Sequence, residues 1–276
     1  MSYAPRWPVP VSVPVQPVIA IVSSTNGNPS VVTTATAHGL WTGDTVAIEG
    51  HSSTALNGTQ TVTVLSPTTF SVPVGGGAGT GGTMTRQTGT EPLTIEEGKL
   101  RAGLDWVVGD PRDALMASFI AAARQKVEQD TGRAIVLTYR DVTYDWLPNL
   151  YAIPLPWPSV PLQAVESITY YTAGGIATVV PVTVYEYDLI QGAIGLAPAG
   201  SWPTGDLQHF GAYVLRILSG YPTKAAIPPL LLHAVGLLTA HYATAGRDLV
   251  TIGTIVASTP YGYEEAIAPF RLETLA

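Results

Sequence analysis

Residues 91–140 constrain the fold more than any other stretch, because they carry the signals for both ends of a long helix. Asp110 stands where a side chain accepts from the first free helical amides, and Pro111 fits the first position, where no N–H is needed. Leu115, Phe119, Ile120, Ala123 and Val127 recur three or four residues apart, so one face is apolar. Arg124, Lys126 and Glu128 stay off that stripe, and Arg124 can pair with Glu128 one turn on. Gly132 supplies the left-handed residue that ends the helix, and a strand follows. A shorter helix beginning at Glu96-Glu97 precedes it. A helix with one apolar face needs a partner surface. The sequence offers one in the apolar run after Pro228-Pro229, a helix reaching about residue 245, where Leu231 to Leu238 face the stripe of Leu115, Phe119, Ile120 and Val127.

Around these helices the chain reads as three regions. Residues 1–18 carry Pro5, Pro8, Pro10, Pro14 and Pro17, which favour extended chain and remove backbone donors: an N-terminal arm, either disordered or laid over a neighbouring subunit. Residues 19–86 hold short β-branched runs at 18–22, 30–36, 44–49, 59–65 and 69–74, separated by Asn26-Gly27, His38-Gly39, Gly43-Asp44 and Asn57-Gly58. That pattern predicts a small antiparallel barrel or sandwich, with the glycine-rich stretch 75–82 as a flexible loop or linker. Residues 87–276 form a core with helices about 94–102, 111–131, 228–245 and 263–270. Its β-rich insertion spans 134–219, with strands at 134–146, 164–172, 178–189 and 213–218 and a hairpin turn at Ala173-Gly174-Gly175. The expected fold class is α+β: helices flanking a β-rich insertion, preceded by a small all-β module.

Charged residues make up only 12% of the 276-residue chain against 46% hydrophobic ones, a balance suited to a protein whose surface is covered by neighbours. The formal net charge of −7 argues against a dedicated nucleic-acid binder, though not against a channel that DNA traverses without sticking. With no cysteine, disulfides and thiolate metal sites are excluded. The opening Met1-Ser2-Tyr3-Ala4-Pro5-Arg6 lacks the apolar core of a signal peptide. The most apolar helix, 230–245, is short of the roughly 20 apolar residues of a membrane span and carries His233 and His241, so no membrane partner is expected.

Catalytic chemistry finds little support. Gly77 to Gly82 matches G-x-G-x-x-G, but Thr83-Met84-Thr85-Arg86 continues as strand or loop and leaves no helix N-terminus for a pyrophosphate. Gly50-His51-Ser52-Ser53 lacks the closing glycine of a nucleophile elbow and reads as a turn. His233 and His241 sit about 80° apart around a helix, too far for an i, i+4 metal pair, and read as buried or interfacial. His38 and His51 lie in turns, where solvation is the simple reading. Adjacent carboxylates at Glu96-Glu97 and Glu264-Glu265 point about 100° apart on helices, so neither makes a dyad. The aromatic set Tyr139, Tyr144, Trp146, Tyr151, Trp157, Tyr170 and Tyr171 suits core or subunit packing better than a sugar platform. No enzyme activity, metal or cofactor is expected.

Five groups of residues, in order, resemble the head–tail connector (adaptor) proteins of tailed bacteriophages and gene transfer agents. The first holds Pro92-Leu93-Thr94, Glu96-Glu97, Asp113-Ala114-Leu115 and the 122–134 run from Ala122-Ala123-Arg124 to Thr131-Gly132-Arg133-Ala134. Leu155-Pro156-Trp157-Pro158 with Val165 to Tyr171, and Trp202-Pro203 with Val214-Leu215-Arg216-Ile217 and Gly220-Tyr221, are the next two. Ile227-Pro228-Pro229-Leu230 and Ala268-Pro269-Phe270-Arg271 complete the set, which covers roughly residues 90–276. The run Val31-Val32-Thr33-Thr34, Ala37 to Leu40, Gly43 to Val46, Leu56-Asn57-Gly58 and Thr68-Thr69-Phe70 is similar to a small β-module of phage structural proteins, itself like the FCCH-type domain of ubiquitin-activating enzymes; no ubiquitin chemistry is implied.

The resemblance implies a virion protein of the neck, made in the host cytoplasm. It implies a ring of copies, expected to be twelve, docked under the portal protein, extending the DNA channel without sequence-specific binding. The ring would offer a platform to the next neck or tail component, a stopper or tail terminator, with the capsid a further partner through the β-module. Within a subunit, Leu115, Phe119, Ile120 and Val127 would pack on Leu231 and Leu238. The segment 247–276, with Arg247, Asp248, Tyr261, Tyr263, Phe270 and Arg271, is the candidate portal-docking surface. The rival readings are a decoration or receptor- or glycan-binding role for the 19–86 module, and a virion-associated hydrolase.

Overall fold

The structure, a computed structural model, describes residues 11–88, 90–148, 152–156, 158–245 and 262–272. The fold is α+β, and it divides into two compact units, each discontinuous in sequence: Met1–Thr90 with Leu137–Pro222, and Glu91–Val136 with Thr223–Ala276.

Among the described residues, the first unit holds all the strands. Its N-terminal part contains β1 (Val11–Val15), β2 (Val18–Ser24), β3 (Ser30–Thr34), β4 (Thr45–Glu49), β5 (Gly58–Thr61), β6 (Thr63–Ser66), β7 (Thr69–Val72), β8 (Gly79–Thr80) and β9 (Thr83–Thr88). The insertion adds β10 (Thr138–Tyr144), β11 (Ile153–Pro154), β12 (Leu162–Tyr171), β13 (Ala177–Val179), β14 (Tyr185–Asp188), β15 (Ala193–Leu196) and β16 (Tyr213–Ser219).

The β-module is one antiparallel sheet in the order β5-β4-β9-β2-β3-β7-β6, with β8 beside β2. Alternation places Ile19, Ile21, Val32, Val46, Ile48, Phe70 and Met84 on its buried side. The two ends of that order, β5 and β6, are consecutive in sequence. The expected strand at 59–65 is therefore broken at Val62, whose amide donates to Asp44 O (3.0 Å) and whose carbonyl accepts from Gly43 N (2.9 Å). That turn carries the chain from one end of the sheet order to the other, so the sheet curls toward a barrel.

The glycine-rich stretch is not a flexible linker. Gly76 bridges Gly27, Gly79-Thr80 pairs with β2, and Gly82 O accepts from Ile21 N at 3.0 Å. A Cβ on Gly79 would stand 2.5 Å from His51 Cε1, and one on Gly82, at φ +81°, 2.6 Å from His51 N. At Gly79 and Gly82 a side chain has no room, because the 49–53 segment lies against the backbone there, whereas Gly77 and Gly81 face open space.

The insertion supplies four strands of a five-stranded sheet, β1-β10-β16-β12-β13, and all of a three-stranded one, β11-β15-β14. β1, drawn from the proline-rich N-terminal region, pairs with β10 of its own chain, setting Pro14 opposite Arg140. As an edge strand it tolerates a proline that a central strand would not. Register between β10 and β16 is pinned by a two-pronged ion pair between partners Asp141 and Arg216, both contacts 2.8 Å. The core beneath includes Val142, Leu162, Ile168, Tyr185, Trp202 and Tyr213. Module and insertion are bound together inside this unit. Tyr139 OH donates to Ala37 O, Trp41 Nε1 donates to Tyr221 O at 2.9 Å, and Arg86 Nη1 donates to Leu137 O at 2.7 Å.

The second unit is helical: α1 (Ile95–Ala102), α2 (Arg112–Thr131), α3 (Pro229–Ala245) and α4 (Tyr263–Ile267), the last followed by a 3-10 turn at Ala268–Phe270. Thr94 and Glu97 form a reciprocal capping box at the start of α1. Asp110 accepts from Arg112 N at 2.9 Å, and Gly132, at φ 72°, closes α2. Glu128, buried on the last turns of α2, accepts from Ile135 N (2.7 Å) and pairs with Arg124, which also grips Glu91.

Candidate interaction surfaces

The side chains that first suggest chemistry have structural partners. His38 is buried, not solvated: Leu40 N donates to Nδ1 (3.1 Å), while Nε2 faces Ser66 O (2.8 Å), and the ring meets Phe70 edge-on. That network specifies the neutral ring with the proton on Nε2. Burial, only partly offset by those carbonyls and Asp44, pushes its pKa below the ordinary value. His51 is likewise buried, its backbone clasped by the Asn57 amide at 2.9 and 3.1 Å. On α3 His233 is exposed, which leaves it only the interfacial half of the buried-or-interfacial expectation, and His241 is half-buried. Glu96 pairs with Lys99, while Glu97 serves the α1 cap and Lys224. Partial burial opposes its ionisation, yet Lys224 and Thr94 hold the Glu97 carboxyl below the usual range. Among the described residues no three His, Asp or Glu side chains gather in a metal-binding group, and no helix is long and apolar enough to cross a membrane.

Of the residues expected to pack α2 on α3, Ile120, Val127, Leu231 and Leu238 are buried. Leu115 is 50% exposed and Phe119 only partly covered. The seam of α2 is instead Met116, Ile120, Ala123 and Val127, about 100° around the helix from Leu115. Gly98 of α1 explains the shift, since a Cβ there would lie 2.9 Å from Met116 Sδ and 3.2 Å from Ile120 Cδ1. Close approach of α1 selects the Met116 side.

Of the candidate docking residues, Arg247, Asp248 and Tyr261 lie outside the described residues. Tyr263 is 0% exposed, its hydroxyl donating to Asp130 Oδ2 at 2.8 Å, so it is a core residue and not a surface contact. Phe270 is half-buried, and its carbonyl accepts from Arg133. Arg271 is exposed and paired with Glu264. Of the aromatic set, Tyr139 and Tyr144 are buried, Tyr170 and Tyr171 partly so and Trp146 exposed, while Tyr151 and Trp157 lie outside the described residues.

Both units also expose large apolar side chains. In the first unit Ile176, Val179, Val182, Tyr187, Leu189 and Ile190 are exposed within one short stretch that includes the edge strands β13 and β14. Two open edges bearing apolar side chains attract further strands or partners unless something covers them. In the second unit the loop between α1 and α2 holds Val107 and Val108 out to solvent. The loop is braced by Trp106, whose Nε1 donates to Asp113 Oδ1 (2.7 Å) and whose ring lies under Lys99 and Arg112. Sequence periodicity misses both patches, because neither falls on a helix stripe; apolar residues in turns and on short strands were the available signal.

Comparison with known proteins adds the fold. No family model and no curated protein matches the chain. Among solved structures, a chain from the neck of an empty gene transfer agent (GTA) particle computed with C6 symmetry aligns at TM-score 0.51 and 21% identity, over 67% of this chain and 92% of its own. A chain from the virion of a native GTA particle aligns at 0.51 and 18%, over the same shares. One from the neck of a native GTA particle computed with C12 symmetry aligns at 0.51 and 22%, over 69% and 95%. About a third of the present chain has no counterpart in them. Across the rest, the chain shares its fold with chains of GTA necks and virions.

Proposed function

We propose that this protein is a structural virion protein, a head–tail connector that forms a ring under the portal, extends the DNA channel and joins the capsid to the next neck or tail component. One observation carries the reading: nearly the whole length of GTA neck chains, 92–95%, overlays on this fold. The surfaces agree in kind. A chain with 12% charged residues that leaves apolar edges and loop tips exposed is suited to being covered by neighbours. Function then resides in interface area, and the reading assigns no catalytic role. In a ring each subunit uses two different faces, one for each neighbour. Twelve copies is the number proposed, in keeping with the C12 symmetry of one matching neck.

Mass measurement of the purified protein, alone and mixed with its cognate portal, tests this. A large ring, or a monomer that assembles only on the portal, is the expected result. A monomer that ignores the portal overturns the reading and turns attention to the β-module as a receptor-binding unit.

A further inference from the structure

The first unit carries an exposed apolar projection and an apolar-walled recess at opposite ends of one strand. The projection is the tip of the β14–β15 hairpin, Leu189-Ile190, where Ile190 is 89% exposed. It is held in shape: Asp188 Oδ1 accepts from Ile190 N (2.7 Å) and Gln191 N (3.1 Å), and Asp188 O accepts from Gly192 N (2.9 Å). The base of the tip is fixed as well. Gly192 O accepts from Leu155 N at 3.0 Å, and a Cβ on Gly192 would stand 2.6 Å from Val160 Cγ2.

The recess, about 410 Å³, lies between the β12–β13 hairpin and residues 203–207; Tyr170, Ile176, Pro203 and Leu207 give it apolar walls, with Thr172 and exposed Asp206 also lining it. Its walls are joined by backbone bonds, Ala173 N to Asp206 O at 2.9 Å and Gln208 N to Tyr171 O at 3.1 Å. Projection and recess are thus both formed before any partner arrives, which lowers the ordering cost of association.

Their placement suits a second copy as the occupant. The tip's base touches Val160, just before β12 begins at Leu162, while the recess starts at Tyr170 and Thr172, where β12 ends. Ten extended residues separate the two by roughly 30 Å. A chain so built cannot seat its own tip, but one copy can seat the tip of the next, and such head-to-tail contacts generate a ring when the rotation closes.

We propose that Leu189-Ile190 of one copy inserts into the Tyr170–Ile176–Pro203–Leu207 recess of its neighbour. The inference rests on the ring reading and names the contact that would propagate it. The chain has no cysteine, so disulfide trapping has no background. The full-length variants I190C, I176C and the double variant are assembled, with the portal if it is required, checked by mass, oxidised and run under denaturing conditions.

The expected result is a ladder up to the ring for the double variant, only dimers when the two single variants are mixed, and no product from either alone. I190D, altered at a solvent-facing position, is expected to keep the melting profile and raise the assembly midpoint concentration roughly tenfold or more. A ring of correct mass without cross-links means that another component occupies the tip, and it overturns the proposal while the connector reading stands. A cross-link confined to monomers overturns it equally. Failure to form any ring, alone or on the portal, removes both.

Discussion

Asp44 and Arg86 are the strongest test of how the first unit is held together. Asp44 is 0% exposed and Arg86 8%. Asp44 accepts from Trp41 N at 2.8 Å and Thr90 N at 2.6 Å, and its Oδ2 lies 2.9 Å from Arg86 Nη2. That last contact has the distance of an ion pair but an angle too poor for a directed hydrogen bond, so its attraction is chiefly that of charge for charge. Arg86 Nη1 meanwhile donates to Leu137 O, which ties the module to the insertion. Asp44→Ala leaves a guanidinium without its counter-charge where water cannot reach it, and orphans two amides. Removing one partner of a buried pair costs about 3–5 kcal/mol, a large part of a usual total of about 5–15 kcal/mol. Taking about 4 kcal/mol and a urea slope of about 2 kcal/mol per molar, the midpoint falls by about 2 M. Urea unfolding of the full chain, read by tryptophan fluorescence with a Trp41→Phe control to isolate the buried Trp41 among six tryptophans, measures it. The double variant Asp44→Ala, Arg86→Met removes both charges and is expected to lose at least about 1 kcal/mol less than the two single losses added. A shift under about 0.5 M for Asp44→Ala, or strict additivity in the double variant, refutes the reasoning.

His38 predicts a pH dependence. Burial holds its folded-state pKa below 6.5, so on acidification the unfolded chain takes the proton first. Its stabilising contribution is complete above about pH 6.5 and declines as pH falls, until the native ring itself protonates. His38→Gln should flatten the stability profile between about pH 7 and 5, and an unchanged slope would reject that assignment. Gly82→Ala forces a side chain against His51 N in a left-handed conformation and should cost at least roughly 1–3 kcal/mol in a thermal melt. Gly77→Ala, with open space around it, should cost less than about 1 kcal/mol, and equal melts for both would restore the flexible-linker reading. Tyr263→Phe should lower stability by about 1.5–3 kcal/mol through the lost bond to Asp130 and, on the proposed connector reading, leave portal binding unaffected. Weaker portal binding with an unchanged melt would return Tyr263 to the surface.

Much of the secondary structure was legible because its signals act over a few residues. Asp110 and Gly132 bound α2, and Thr94 with Glu97 caps α1, through contacts no more than about one turn long. The β-branched runs and the Ala173-Gly174-Gly175 turn likewise mark strands and a hairpin from local geometry. The site was far less legible. Leu115 and Met116 are equally apolar neighbours on one helix, and only Gly98 of α1, at close approach, decides which of them is buried. The stretch 75–82 has the composition of a linker, yet Gly79 and Gly82 answer to His51, about thirty residues away in sequence, which local composition cannot reveal. Nor does any local rule set the tip of β14–β15 and its recess at opposite ends of β12, since that follows from which strands pair. Sequence alone therefore determined the helix ends and the approximate place of many strands, through short-range capping and turn geometry, but not the breaks at 62 and 180–184 or the short strands β8, β11 and β15. Tertiary structure decided which of the remaining apolar residues, Leu115 against Met116 among them, are core and which stay exposed, because burial depends on what long-range pairing brings alongside.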